Sequence, residues 1–210
     1  MKKIRRGEAV IDAQRVTEHE LNSGLRNTFS RMMGAASTSV GRNNILKASW
    51  LDTQLGPMIA IADDSALYLL EFVDCRGLER EVECLKQKTK SAIISGSTRP
   101  IHSIESELTQ YFDGNLIEFK TPLFLVGSPF QKNVWEALKN IPYGETRSYA
   151  DIAKTIGKPT AFRAVAQANG ANQLPLIIPC HRVINANGDL GGYSGGIPRK
   201  KWLLAHERGK

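Results

Sequence analysis

The 210-residue sequence is poor in several features that would decide its class at once. No apolar run approaches the ~20 residues needed to span a bilayer. The start, Met1-Lys2-Lys3-Ile4-Arg5-Arg6, is basic, but no apolar stretch follows, so no secretory signal is read there. Only three cysteines occur, Cys75, Cys84 and Cys180. They form neither an even disulfide framework nor a close metal-ligand group, and reduced thiols in a cytoplasmic setting are expected. His102 stands alone, without ligand partners nearby, and no metal is expected. What remains is ordinary for a soluble globular protein: 41% hydrophobic and 23% charged residues.

Acidic residues are scarce in one part of the chain. Residues 1–127 hold 16 Lys and Arg against 16 Asp and Glu, which cancel. Residues 128–210 hold 12 against 5, so the whole net charge of +7 lies there. That half is expected to face a polyanion. The alternative is a surface that is merely basic and soluble.

Three regions are read along the chain. Residues 1–47 look like an appendage: two short helices around Asn22-Ser23-Gly24 within 10–33, then a small, polar linker. Residues 48–125 read as an α/β unit. Strands are expected over 53–62 and 66–73, a helix over 78–88, a short strand over 91–94, a helix over 103–111 and an edge strand over 116–120. No catalytic constellation appears there, and Cys75 and Cys84 read as small packing side chains. Residues 126–210 carry sharper signals. Ser128-Pro129-Phe130-Gln131 is a helix start with cap, N1 proline and N3 glutamine. Ser148-Tyr149-Ala150-Asp151 resembles a second capping box, and Gly157 should end that helix. Thr160 is expected to cap the next.

That next helix is rich in alanine. Ala161, Ala164, Val165 and Ala168 make a narrow apolar face, with Arg163, Gln167 and Gly170 opposite. Small side chains let a helix backbone approach something large. Two short helices joined by Gly157-Lys158-Pro159 have helix-turn-helix spacing, although a helical hairpin buried in a core would have it too. Arg163 is the only long charged side chain on this helix. It would either hold a phosphate or enter a base stack.

The segment Pro179-Cys180-His181-Arg182-Val183 follows the apolar run 176–178, read as a strand. His181 can take a proton from the Cys180 thiol, and Arg182 adds positive field; both favour the nucleophilic thiolate. A buried structural cysteine beside a surface His and Arg is the bland alternative.

These elements together resemble the O6-alkylguanine-DNA alkyltransferases, also called methylated-DNA–protein-cysteine methyltransferases. The resemblance rests on Phe130-Gln131-Lys132-Asn133-Val134-Trp135, Ile141-Pro142-Tyr143-Gly144-Glu145-Thr146, Ser148-Tyr149, Arg163-Ala164-Val165, Asn172, Ile178-Pro179-Cys180-His181-Arg182-Val183 and Gly191-Gly192-Tyr193-Ser194-Gly195-Gly196. It implies a ribonuclease-H-like α/β N-terminal domain, then a mostly α, winged helix-turn-helix alkyltransferase domain. It implies single-turnover repair: an O6-methylguanine (or O4-methylthymine) base is flipped from duplex DNA and its alkyl group passes to Cys180. By the same resemblance His181 is the base through a water, Glu207 orients and stabilises the imidazole, and Asn172 ties down the cysteine turn. Tyr149 donates to the purine. Arg163 fills the stack, with Ser148, Thr160, Ala164 and Gln167 at the DNA. Val183, Tyr193, Ser194 and Pro175 line the base pocket. The family needs no cofactor; a monomer acting on alkylated double-stranded DNA, away from membranes and associated with the nucleoid, is expected.

Residues 10–13 and 22–34 resemble the second helix-turn-helix of an AraC-type regulator, as in Ada-type bifunctional proteins, but only its tail is present. A non-catalytic DNA-binding regulator is therefore one competing reading. A cysteine hydrolase is another, disfavoured because such enzymes bring Cys and His from distant positions.

Overall fold

A computed structural model describes residues 45–209. The helices expected within 10–33 and the AraC-like segment lie outside the described residues.

The chain first builds a four-stranded sheet from β1 (Ile45–Leu51), β2 (Met58–Ala62), β3 (Leu67–Phe72) and β4 (Ala92–Ser95), ordered β3-β2-β1-β4. β1–β2 and β2–β3 are antiparallel, whereas β1–β4 is parallel. The helix α1 (Leu78–Thr89) makes the crossover between β3 and β4, as a mixed sheet requires. α2 (Arg99–Phe112) follows, capped by the Thr98 side chain with proline in its first turn.

The remaining elements are mostly helical: α3 (Pro129–Lys139), a two-residue β5 (Arg147–Ser148), α4 (Tyr149–Thr155), α5 (Phe162–Gly170), β6 (Val183–Ile184) and α6 (Ile197–Arg208). β5 and β6 pair in parallel. α3 and α4 both open on complete capping boxes, Ser128 with Gln131 and Ser148 with Asp151.

Two apolar layers flank the sheet. One face packs on α1 through Leu46, Ile59, Ile61, Leu69, Val82 and Leu85. The other face contributes Met58, Leu67, Leu70 and Phe72 to a larger core. That core runs without interruption through α2 (Ile104, Tyr111) into Trp135, Leu138, Val165, Ile178 and Leu203. The strand side of the molecule and the helical side therefore share one interior.

Several local expectations change. The strand read over 53–62 is shorter: its first part is a turn closed by Gly56 N–H to Thr53 C=O (3.0 Å), and β2 starts only at Met58. β1 itself begins at Ile45, inside the 1–47 stretch read as an appendage. Residues 116–120 form no strand. The Glu107 carboxylate takes the Lys120 and Thr121 N–H groups, and β3 is met instead at Leu123, where Leu67 N–H bonds Pro122 C=O. Residues 176–178 are a buried turn and not a strand, with Leu176 at φ +73° and Ile178 N–H bonded to Leu174 C=O. Thr160 is exposed and caps nothing: α5 starts after Ala161, with no side-chain cap.

Candidate active site

Cys180 opens a single 3₁₀ turn, Cys180–Arg182, and is 2% exposed. The turn is held from behind by two asparagines. Asn172 Nδ2 donates to Ile178 C=O (2.9 Å), and Asn172 Oδ1 accepts from Leu174 N–H (3.0 Å). Asn169 Nδ2, from α5, reaches Cys180 C=O at 3.4 Å. Asn172 thus satisfies backbone groups that a strand would have paired, which is why the apolar run can turn while buried.

His181 and Arg182 point into the protein, toward Glu207 in the last turn of α6. Glu207 Oε1 lies 2.8 Å from His181 Nε2 and accepts from Tyr111 Oη (2.7 Å) and Arg182 Nη2 (3.0 Å). Oε2 accepts from Arg182 Nε (2.8 Å) and Gly144 N–H (3.3 Å). Gly144 sits at φ +78°, and a Cβ there would come within 2.9 Å of the Glu207 carbonyl oxygen, so the approach requires glycine. Burial pushes the Glu207 carboxyl up, but the hydrogen bonds from His181 and Arg182 outweigh it and hold the group well below the usual carboxylate range. An ionised Glu207 assigns the proton of His181 to Nε2. Nδ1 is then the imidazole's lone-pair nitrogen, and it is buried without a hydrogen-bond partner. Burial lowers the His181 pKa against the pull of Glu207, so the ring is neutral at rest.

The thiol differs from the sequence expectation. Burial pushes Cys180 up to about 12, against a downward pull from the Asn172 hydrogen bond and from Lys200. Arg182 gives its N–H groups to Glu207 and to Ile141 C=O (2.7 Å). Its charge is spent there and does not make Cys180 a standing thiolate.

The cation that bears on the sulfur is Lys200, which sequence reading missed. It is fully buried in α6, donates to Val183 C=O (2.6 Å) and Gly192 C=O (3.2 Å), and is pushed down to about 8 by burial. It bridges β6 to the glycine-rich loop. A lysine in a basic helix looks solvent-bound in sequence; the one available hint was its place just after the Gly191–Gly196 run.

A cavity of about 340 Å³ opens over Cys180, lined by Tyr149, Ala166, Asn169, Gly170, Tyr193 and Ser194 among others. Gly191, at φ +66°, lets the loop pass so close to Tyr149 that a Cβ would lie 3.2 Å from its Oη. Tyr193 packs edge-on to His181, with ring centroids 6.5 Å apart. Burial and the Cys180 sulfur raise the Tyr149 phenol, so it keeps its proton and can donate. Pro175 and Val183 do not join this lining: both are buried, and Val183 serves through its carbonyl to Lys200. Arg163 and Gln167 are exposed on α5, with Ala164 half-buried. Arg163 stands one helical turn from Ala166 and two from Gly170, on the side that lines the cavity. Ser148 spends its hydroxyl on the Asp151 carboxylate, 2.7 Å away. No group of three or more His, Cys, Asp or Glu is placed to hold a metal among the described residues.

The arrangement supplies a shielded thiol, a neutral imidazole with a free acceptor nitrogen, and a permanently charged carboxylate behind it. It suits abstraction of the thiol proton at the moment of attack.

Comparison with known proteins agrees. A family model described as "6-O-methylguanine DNA methyltransferase, DNA binding domain" matches residues 129–209. A methylated-DNA–protein-cysteine methyltransferase of Mycobacterium leprae is 43% identical over 158 residues, 75% of this chain and 90% of that protein. One from Mycolicibacterium paratuberculosis is 58% identical over 102 residues, 49% of this chain and 62% of its own length. Among solved structures, Mycobacterium tuberculosis OGT in complex with DNA is 40% identical with a TM-score of 0.66, covering 79% of this chain and 93% of that one. The O6-methylguanine methyltransferase of the same organism is 41% identical with a TM-score of 0.67, covering 78% and 93%.

Proposed function

This chain belongs to the methylated-DNA–protein-cysteine methyltransferase family, and from that premise we propose that it repairs DNA by moving the alkyl group of O6-methylguanine onto Cys180. The observation that carries the reading is a buried thiol lining a cavity of about 340 Å³, with its neighbour in the chain, His181, held by Glu207 at 2.8 Å.

The chemistry follows from the residues. The Cys180 S–H gives its proton, through a bridging water, to Nδ1 of His181. Glu207 offsets the imidazolium charge and fixes the ring. The sulfur attacks the alkyl carbon; the S–C bond forms as the C–O6 bond breaks, and the electron pair leaves on guanine. Tyr149 donates to the purine as that charge builds. The proton released by the thiol ends on guanine, so the balance closes without a cofactor. The product is a thioether, a poor leaving group, and nothing in the site regenerates the thiol. Each chain therefore acts once.

Flipping brings the O6-alkyl carbon out of the stack, and a damaged pair costs less to open. Arg163 occupies the vacated space, while Ala164 and Gln167 from the same helix and Thr160 from the turn before it follow the duplex. Ser148 caps the neighbouring α4. We read α4 and α5 as a helix-turn-helix, the β5–β6 ladder with the loop after it as its wing, and residues 48–125 as a ribonuclease-H-like domain. The +7 excess confined to residues 128–210 supports DNA as the partner. A monomer in the cytoplasm, at the nucleoid, with O4-methylthymine as a second substrate, completes the proposal.

The test is intact mass after incubation with an O6-methylguanine duplex. One methyl group per chain, located on Cys180 and absent in Cys180→Ala, is expected. Multiple turnover without modification, or binding without transfer, would refute it.

A further inference from the structure

Glu71 is a carboxyl group that the mechanism above does not use. It is 0% exposed, near the end of β3, one of the two edge strands of the sheet. Its Oε1 accepts the Phe72 N–H (2.8 Å), and its Oε2 is buried without a hydrogen-bond partner. The Ser194 side chain lies beside it, and Ser194 lines the cavity over Cys180. β3 also touches the site twice more. Leu70 N–H bonds Gln173 C=O (2.9 Å), next to Asn172. Arg199 stacks over the Phe72 ring at 4.1 Å and bonds Gly195 C=O in the glycine-rich loop (3.0 Å).

We propose that Glu71 is a positioning residue for the transfer: as a neutral carboxylic acid it steadies Ser194 at the cavity and keeps negative charge away from the Cys180 sulfur. The proposal rests on the repair reading above. An ionised carboxylate with a buried, unpartnered oxygen is costly, whereas the acid form has an O–H to place there. Burial and Glu81 favour that form and outweigh the Phe72 N–H, the Ser194 side chain and Arg199, which pull the other way. Arg199 bears on it but is committed to both oxygens of Asp74 (2.9 Å each), to Leu55 C=O and to Gly195 C=O. Glu81, from α1, is a second carboxyl with an unpartnered buried oxygen, and it repels a charge on Glu71. Cys75, Cys180 and Tyr193 also sense Glu71, and each is harder to ionise when it is charged. Burial first, then Glu81, raises the Glu71 carboxyl to about 8. Below that pH the group is neutral; above it, its negative charge opposes formation of the Cys180 thiolate.

The test compares the full chain with Glu71→Gln, which is neutral at every pH and close in shape. Two rates are read from pH 6.5 to 9.5: methyl transfer from an O6-methylguanine duplex, and alkylation of Cys180 by iodoacetamide, read by peptide mass. Dividing the variant's rate by the parent's cancels every titration that the two share. That ratio is expected to stay near unity at neutral pH and to rise roughly three- to tenfold by about pH 9, as a removed charge of up to about one pKa unit requires. A ratio independent of pH, or a folded Glu71→Gln that loses more than about tenfold at pH 7, overturns the proposal. The iodoacetamide ratio decides the matter without DNA. A parent chain that transfers no methyl group would defeat the repair reading and leave this readout intact.

Discussion

Replacing Glu207 by Gln removes one charge from a site that receives five donors: Tyr111 Oη, His181 Nε2, Arg182 Nε and Nη2, and Gly144 N–H. Gln offers one acceptor oxygen and one NH₂ in the same volume, so at least one of those donors meets another donor. Arg182, 6% exposed, is left without a counter-charge. Truncating one partner of such a buried pair costs about 3–5 kcal/mol. At roughly 2–4 °C per kcal/mol for a chain of this size, Tm should fall by about 10 °C. The rate loss has a separate origin: the imidazolium formed during attack loses its counter-ion and its fixed tautomer. A positioned acid–base group contributes roughly a hundred- to ten-thousand-fold, and a loss within that range is expected in single-turnover transfer measured well below the variant's Tm. The stability difference should also depend on pH with a definite sign. The folded pKa of Glu207 is depressed, so its contribution is complete above the ordinary 4.5 and is lost as pH falls below that value. Parent and variant melting curves should therefore converge in acid. A variant within about twofold of the parent rate and about 2 °C of its Tm at pH 7 would refute the reasoning.

Asn172→Ala strands the Ile178 carbonyl and the Leu174 N–H, both buried, at about 1–3 kcal/mol for each unpaired group. Urea unfolding should show the loss, and unchanged stability would remove Asn172 from its place behind the cysteine turn. Gly191→Ala forces a side chain into φ +66° and to 3.2 Å from the Tyr149 hydroxyl. About 1–2 kcal/mol of strain is expected, with transfer slowed even where the protein is fully folded; a normal rate would show that Tyr149 is not needed in place. Arg163→Ala should slow repair of duplex DNA more than reaction with free O6-benzylguanine, and equal losses would reject its place in the base stack.

Local chemistry explains what could be read before the fold was seen. The capping boxes at Ser128 and Ser148 are short-range signals, complete within four residues, and both stand in the structure. The 3.6-residue periodicity located α1 and α2, although α2 starts four residues before the expected position because Thr98 and Pro100 set its cap. The failures share a cause. Thr160 has the chemistry of a cap but is exposed in the turn before α5. Residues 176–178 have the apolar composition of a strand, yet Asn172 supplies the hydrogen bonds that make a strand unnecessary. Arg182 beside Cys180 in sequence is not beside it electrostatically, since Glu207 from the last helix claims its guanidinium. Lys200 and Glu71 could not be singled out, because their importance comes from burial against segments distant in sequence. Adjacency in a chain says little about which charges meet in a packed interior.

The interior shared by sheet and helices bears on how such a chain can change over evolutionary time. A recombination event that swapped everything before Val126 for the equivalent stretch of a relative would present Arg199 with a foreign partner in place of Asp74 and Gln173 with a foreign strand. The hybrid would inherit the reactive turn intact, with these contacts to its surroundings altered. A change in one half at these contacts therefore calls for a matching change in the other.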